Sequence, residues 1–141
     1  MSDGHAFLLD TNILSALTRD PHGVVRDRLC AALPLTACTS IVVAAELRYG
    51  LSKGVSARLR ERVEGLLASI DVLPFDAPAD EHYGDIRATL QRLGQPIGLN
   101  DLLIAAHARA LGLTLVTHNT REFERVPGLK VEDWLSTGAG G

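Results

Sequence analysis

The apolar positions of this chain fall into short unbroken runs that alternate with longer stretches of helical spacing. Ala6-Phe7-Leu8-Leu9 is the first run and stops at Asp10. Lacking polar alternation, it predicts a central strand covered on both faces. Thr11-Asn12 supplies turn and cap chemistry, and a short helix is expected over Ile13 to Leu17. Asp20-Pro21 reads as the start of a second helix, with proline in its first position and Val24, Val25, Leu29 and Leu33 on its inner side. Leu35 to Thr39 predicts a second strand. Ser40 can cap a third helix over Ile41 to Leu51, closed by Gly54. Ser56 begins a fourth, in which Leu59, Val63, Leu66 and Leu67 share one face and charged residues hold the rest. Val72-Leu73 is a brief strand before Pro74. A fifth helix is expected from Ala79 to Leu93, ending at Gly94, and a sixth from Asp101 to Leu111, capped by Asn100 and stopped by Gly112. Leu113 to Thr117 is a second near-continuous apolar run, and the loose alternation of Leu129 to Trp134 suits an edge strand.

Strands alternating with helices predict an α/β fold, with a mainly parallel sheet and helices on both faces. A length of 141 residues suits one domain, and no repeat or Pro/Ser-rich linker divides it. The expected organisation is one domain over residues 1–134 and a flexible tail over 135–141. No apolar run approaches the roughly 20 residues of a membrane span. The start, Met-Ser-Asp-Gly-His, lacks the basic segment of a signal peptide, so a cytoplasmic setting away from membranes is expected. In sheets of this kind the working site lies beyond the carboxyl ends of the strands. That directs attention to Asp10, to Thr39 through Glu46, and to the segment after Thr117.

Apolar residues make up 46% and charged residues 22%, which supports a packed core and excludes wholesale disorder. The balance of 17 acidic against 14 basic side chains argues against gripping nucleic acid by bulk charge. It leaves open an acidic excess gathered in one place. All the basic residues are Arg except Lys53 and Lys130. Cys30 and Cys38 lack CxxC spacing and have no histidine cluster near them, which speaks against a disulfide framework and a structural zinc; both are expected to be buried. No HExxH spacing occurs. His107 reads as a core residue, His118 as exposed, His5, His22 and His82 as surface residues, and Trp134 as an aromatic that closes the core.

Three acids stand in unusual places. Asp10 ends an apolar strand, where a carboxylate is either a helix cap or a ligand. Glu46 interrupts the apolar stretch from Ile41 to Leu47. It is either salt-bridged, to Arg48 or a neighbouring helix, or bound to a cation. Asp101 opens a helix, where an acid complements the dipole. Yet the helix behind it is nearly all apolar and so belongs in the core, with its N-terminus at the sheet end. Were three carboxylates to lie about 5 Å apart, each pair would repel by roughly 3 kcal/mol at an effective dielectric near 20. The sum, on the order of 10 kcal/mol, rivals the net stability of a whole domain. Such a cluster persists only if protonated or neutralised by a cation, and oxygen ligands without Cys or His suit Mg²⁺ or Mn²⁺.

Four blocks occur in order: Leu8-Leu9-Asp10-Thr11-Asn12, Ala45-Glu46-Leu47-Arg48-Tyr49-Gly50, Asn100-Asp101-Leu102-Leu103-Ile104-Ala105-Ala106-His107-Ala108, and Val116-Thr117-His118-Asn119-Thr120-Arg121-Glu122-Phe123 running on to Leu129. In this arrangement the chain resembles the PIN-domain family. The last block, with Glu132-Asp133-Trp134, is similar to the VapC toxins of bacterial toxin–antitoxin pairs. The resemblance implies an α/β/α sandwich and a magnesium-dependent endoribonuclease. By it Asp10, Glu46 and Asp101 form the metal-binding acidic triad, with Asp10 and Asp101 foremost as direct ligands and Mn²⁺ an acceptable substitute for Mg²⁺. Many PIN proteins carry a fourth acid where this chain has Asn119, so Asn119 enters the site as an amide that can ligate or orient a water. Glu122 stands near but out of register and is not included. Thr11, Asn12 and Thr117 are candidates for holding the acids in place, and Arg48, Arg87, Arg109 and Arg121 for phosphate contacts. Hydrolysis by an activated water would leave 5′-phosphate and 3′-hydroxyl ends. The implied partners are structured RNA, often tRNA, a VapB-type antitoxin that covers the acidic pocket with a basic side chain, and a second copy in a homodimer. Competing readings are a housekeeping PIN nuclease of RNA maturation or a DNA-acting relative, a phosphotransferase using Asp10 (which lacks the DxD such enzymes want), and a binding module whose acids only cap helices.

Overall fold

The computed structural model describes residues 4–136; the expected tail beyond Ser136 lies outside them. The element order is β1 (His5–Leu9), α1 (Thr11–Arg19), α2 (Val24–Ala32), β2 (Thr36–Ser40), α3 (Ile41–Leu51), α4 (Ala57–Ser69), β3 (Asp71–Leu73), α5 (Ala79–Arg92), α6 (Leu99–Leu111), β4 (Thr114–Val116), α7 (Thr120–Phe123) and β5 (Val131–Glu132). The strands form one five-stranded sheet in the order β3-β2-β1-β4-β5, parallel throughout. The chain builds outward from β1 through β2 to β3, then crosses back to lay β4 on the other side of β1. The gap between β1 and β4 is therefore the topological switch point, where such sheets open a crevice at their carboxyl ends.

The core has β1 and β4 at its centre. Leu8, Leu9, Leu115 and Val116 are fully buried, as are Ile13 and Leu14 of α1 and Ile104, Ala105 and Ala106 of α6. This matches the unbroken apolar runs, because a central parallel strand is covered on both faces. Trp134 closes the far edge, edge-on to Phe7 at 5.1 Å between ring centres, and its indole N–H donates to Glu132 at 2.9 Å. Leu135, expected to begin the tail, packs partly against the core.

Capping fixes several boundaries. The Ser56 hydroxyl accepts from the Leu59 amide, the Ser40 hydroxyl accepts from the Val42 amide, and α6 ends at Gly112 in the left-handed conformation, φ 70°. Other expectations need correction. Helix α2 begins at Val24 with Gly23 as its cap, and Asp20 ends α1 instead of opening α2, so Pro21 lies in the connecting turn. Asn100 lies inside the first turn of α6, whose cap is Gly98, and its side chain turns elsewhere. Cys38 is buried but Cys30 is exposed, on the outer side of α2. His5 is largely covered, between the Thr36 hydroxyl and the Asp71 carboxylate, each at 2.9 Å. Among the described residues, no helix is long and apolar enough to cross a membrane.

Candidate active site at the switch point

Strand register brings the first two groups together. Leu9 pairs with Val116, so the next residues, Asp10 and Thr117, emerge side by side at the carboxyl end of the sheet. The Asp10 amide extends the ladder by donating to the Val116 carbonyl at 2.9 Å. Asp10 then turns the chain into α1 as its N-cap. One carboxylate oxygen accepts from the Thr11 amide at 2.7 Å, and the other accepts from the Thr117 hydroxyl at 2.8 Å. The cap and ligand readings are thus compatible: a carboxylate has about four lone-pair sites, and these bonds use two. Asp10 is only 4% exposed. Burial raises its pKa, the Thr117 and Thr11 hydrogen bonds oppose that rise, and the Glu46 charge adds to it.

Glu46 arrives from α3. Its carboxylate accepts from the Thr11 hydroxyl and from the Asn100 side-chain amide, the latter at 3.2 Å. The expected bridge to Arg48 is not made; Arg48 pairs with Glu64 at 2.8 Å. Both donors to Glu46 are neutral, so no positive side chain offsets it at the cleft among the described residues. Asp101 comes from the first turn of α6. Its pKa is pushed up to about 7, first by burial, then by the Asp10 charge, by a hydrogen bond to Glu122 and its charge, and by Glu46. Asp10, Glu46 and Asp101, separated by dozens of positions in the chain, therefore interact electrostatically at one place.

Glu122 joins them, contrary to the expectation that left it out. Residues 120–123 form α7, and the helical turn brings Glu122 onto Asp101. A helix of only four residues leaves no periodicity in the sequence from which this contact could be read. Asn119 contributes its backbone, whose amide donates to the Thr117 hydroxyl at 3.0 Å, while its side chain caps nothing. Asn12 also lies here: its side-chain oxygen accepts from the His118 amide at 3.0 Å. Asn100, expected as a cap, is instead the second donor to Glu46. Of the four arginines considered for phosphate, three are engaged within the fold. Arg48 pairs with Glu64, Arg87 donates to the Tyr83 hydroxyl, and Arg109 donates to His82, Asp85 and the Pro127 carbonyl. Of the four, only Arg121 is exposed with neither an ion pair nor a side-chain hydrogen bond among the described residues.

Among the described residues, no three Asp, Glu, His or Cys side chains are already converged as a metal cage. The donor chemistry nevertheless fits a hard divalent ion. Mg²⁺ is commonly held by one or two carboxylates, its remaining positions filled by water and substrate phosphate. The upward shifts at Asp10 and Asp101 come first from burial and then from neighbouring acids, both of which a bound cation would offset.

The PIN domain family model matches residues 7–129. The tRNA(fMet)-specific endonuclease VapC of Shigella flexneri is 46% identical, over 91% of this chain and 97% of that protein. Ribonuclease VapC2 of Rickettsia felis is 38% identical over 91% and 97%. The crystal structure of DNA-bound VapBC from Salmonella typhimurium superimposes with a TM-score of 0.85 at 40% identity, covering 92% of this chain and 98% of that one. PIN nucleases are generally dependent on divalent metal. With residues 7–129 matched and relatives well above 30% identity, the chain belongs to the PIN-domain family, in its VapC group of ribonucleases.

Proposed function

We propose that this chain is a Mg²⁺-dependent endoribonuclease toxin whose acidic site is Asp10, Glu46 and Asp101, acting on tRNA and silenced by a cognate antitoxin. The observation that carries the proposal is the pair Asp10 and Asp101, whose proton affinities rise together at the switch point. A divalent ion held by these two carboxylates would supply Lewis acidity toward a phosphodiester oxygen and a water of lowered pKa. Thr117 and the Thr11 amide fix the two oxygens of Asp10, leaving one side of the carboxylate to face the cleft. Glu46, oriented by Thr11 and Asn100, is placed to accept a proton from the attacking water. Glu122 shares a hydrogen bond with Asp101 and, in the absence of a cation, would share its proton. Asn119 stands beside these groups with its amide side chain uncommitted. Nothing in this chemistry uses the 2′-hydroxyl, so preference for RNA rests on contacts outside the acids.

Two relatives' names support the substrate and partner. The Shigella flexneri protein is called a tRNA(fMet)-specific endonuclease, and the Salmonella typhimurium structure is a VapBC complex on DNA. A groove of about 250 Å³ between α1, α3 and α4, walled by Leu47, Leu51, Leu59 and Val63, opens beside Glu46 and offers a partner segment a path to the acids.

The test is to incubate the purified chain with initiator tRNA and with elongator methionine tRNA, in Mg²⁺, in Mn²⁺ or in chelator, and to sequence the fragment ends. Cleavage of the initiator species only with metal, leaving 5′-phosphate and 3′-hydroxyl ends, is expected. A 2′,3′-cyclic phosphate, or undiminished cleavage by the Asp10→Asn, Asp101→Asn double variant, would overturn the proposal.

A further inference from the structure

Helix α3 carries more than Glu46 to the edge of the site. Tyr49, three residues on and so on the same side of the helix, is 67% exposed. Lys53, four residues further in the turn after α3, lays its ammonium over the Tyr49 ring, 4.6 Å from the centroid. Together with Val42, Ala45 and Gly50 they line an open cleft of about 510 Å³, whose other walls are Thr11, Glu46 and Asn100. Those last three are Glu46 and the two residues that hold its carboxylate, so the cleft adjoins the acidic site at Glu46.

We infer that this cleft is a nucleotide subsite in which Tyr49 stacks on an unpaired base next to the scissile bond and Lys53 meets a flanking phosphate. The inference rests on the ribonuclease reading above and names how the RNA is held. The chain is acidic overall, with a formal charge of −3, so its phosphate contacts must be local. Lys53 is one of only two lysines in the chain. Its stem already reaches the aromatic face, and its ammonium holds no carboxylate among the described residues. An aromatic plane beside a cation along a groove is the arrangement that holds single-stranded nucleic acid without reading sequence. A strand whose phosphate lies at Asp10 and Asp101 has Glu46 as its next neighbour and the Tyr49 ring beyond. An exposed tyrosine on a surface with no adjoining function would be unremarkable; here its cleft is walled by Glu46 and by Thr11 and Asn100, which orient it.

The test has two arms. In the first, steady-state cleavage of initiator tRNA is measured for the intact chain, Tyr49→Ala, Tyr49→Phe and Lys53→Met. Tyr49→Ala is expected to raise KM at least about fivefold with kcat nearly unmoved, in line with the loss of one stacked base. Tyr49→Phe keeps the ring and raises KM less, and Lys53→Met raises KM while flattening its dependence on salt. In the second arm, a short single-stranded RNA carrying 2-aminopurine is bound to the Asp101→Asn chain, which leaves it uncut. Quenching that disappears in the added Tyr49→Ala change supports stacking. A wild-type KM in Tyr49→Ala, a fall in kcat at constant KM, or a changed sedimentation coefficient without a changed KM (a protein-facing role) would each overturn the subsite. Failure of the intact chain to cut any tRNA would instead defeat the ribonuclease reading, and the fluorescence arm would then decide the subsite by itself.

Discussion

Thr117 has one proton to give, and its surroundings decide where it goes. The Asn119 amide donates to the hydroxyl oxygen, and Asn12 approaches it with an N–H at 3.5 Å, so the hydroxyl hydrogen is left for Asp10. Thr117→Val removes that donor at little change in shape. The carboxylate of Asp10 then loses a bond that favours its charged form, and its pKa rises further. Cleavage should fall about tenfold or more, as for lost supporting partners of metal-site ligands. The acidic limb of the pH–rate profile should move to higher pH, which a packing defect alone would not produce. Asp101 gives a second prediction at the same scale. Its folded pKa of about 7 lies above the ordinary value of 3.8, so the folded state binds more protons than the unfolded state between those values. Stability from this group is therefore full below pH 3.8 and is lost as pH rises through about 7. Without metal, the melting temperature should climb as pH falls from 8 to 5 (about the range the shift spans), and Asp101→Asn should flatten that slope. Added Mg²⁺ should raise the melting temperature at pH 8. The triple variant Asp10→Asn, Glu46→Gln, Asp101→Asn should lose most of that response, and calorimetry checks both effects.

At the scale of elements, the site depends on holding α3 and α6 together, since one carries Glu46 and the other Asp101. His107 does this from the core. It is 2% exposed, and its Nδ1 lies 2.9 Å from the Ser40 hydroxyl. That hydroxyl also accepts from the Val42 amide at the start of α3, so it joins His107 of α6 to the first turn of α3. The ring also makes a hydrogen bond to the Pro74 backbone. Burial lowers its pKa, against the pull of Asp76 and Pro74. His107→Leu strands the Ser40 hydroxyl in the core and should cost about 1–3 kcal/mol in urea unfolding. The element pattern also shows what was legible beforehand. Unbroken runs marked β1 and β4 because a central parallel strand is buried on both sides. Ser56 and Gly112 marked helix ends through cap chemistry that acts locally. The start of α2 was misplaced because Pro21 fits a first helical turn and a loop equally well, and only packing of Val25 against the core selects the later start. Asn100 was misread for a related reason. Its side chain is as good a donor to a distant carboxylate as it is a local cap, and Glu46 lies 54 positions away in sequence. Glu122 was missed because a helix of four residues, α7, has no periodicity to show.

For the molecule as a whole, the question is which cations belong to the fold and which to a ligand, since sequence treats all arginines alike. Arg109 spends its guanidinium inside the structure. Its Nε donates to His82 at 2.8 Å, one terminal nitrogen to Asp85 at 2.7 Å, and the other to the Pro127 carbonyl at 2.9 Å. It thereby ties α5, α6 and the segment leading to β5 around the end of the sheet opposite the acids' helix start. A lysine cannot supply this fork, because its ammonium is a single point donor on a flexible stem. Arg109→Lys should lower the melting temperature and leave KM for tRNA where it was. Arg121 has the reverse profile. It is exposed on α7, one residue before Glu122, and meets no carboxylate among the described residues. With the acids occupied by a cation, Arg121 is the arginine among the four best placed to meet a phosphate next to the site. Arg121→Ala should leave the melting temperature within about a degree, as expected for an unpaired surface side chain. It should raise KM severalfold and reduce the slope of log KM against log salt by about one phosphate contact. If the two variants exchanged these effects, with Arg109→Lys weakening RNA binding and Arg121→Ala weakening the fold, the division between structural and substrate-facing arginines would be reversed.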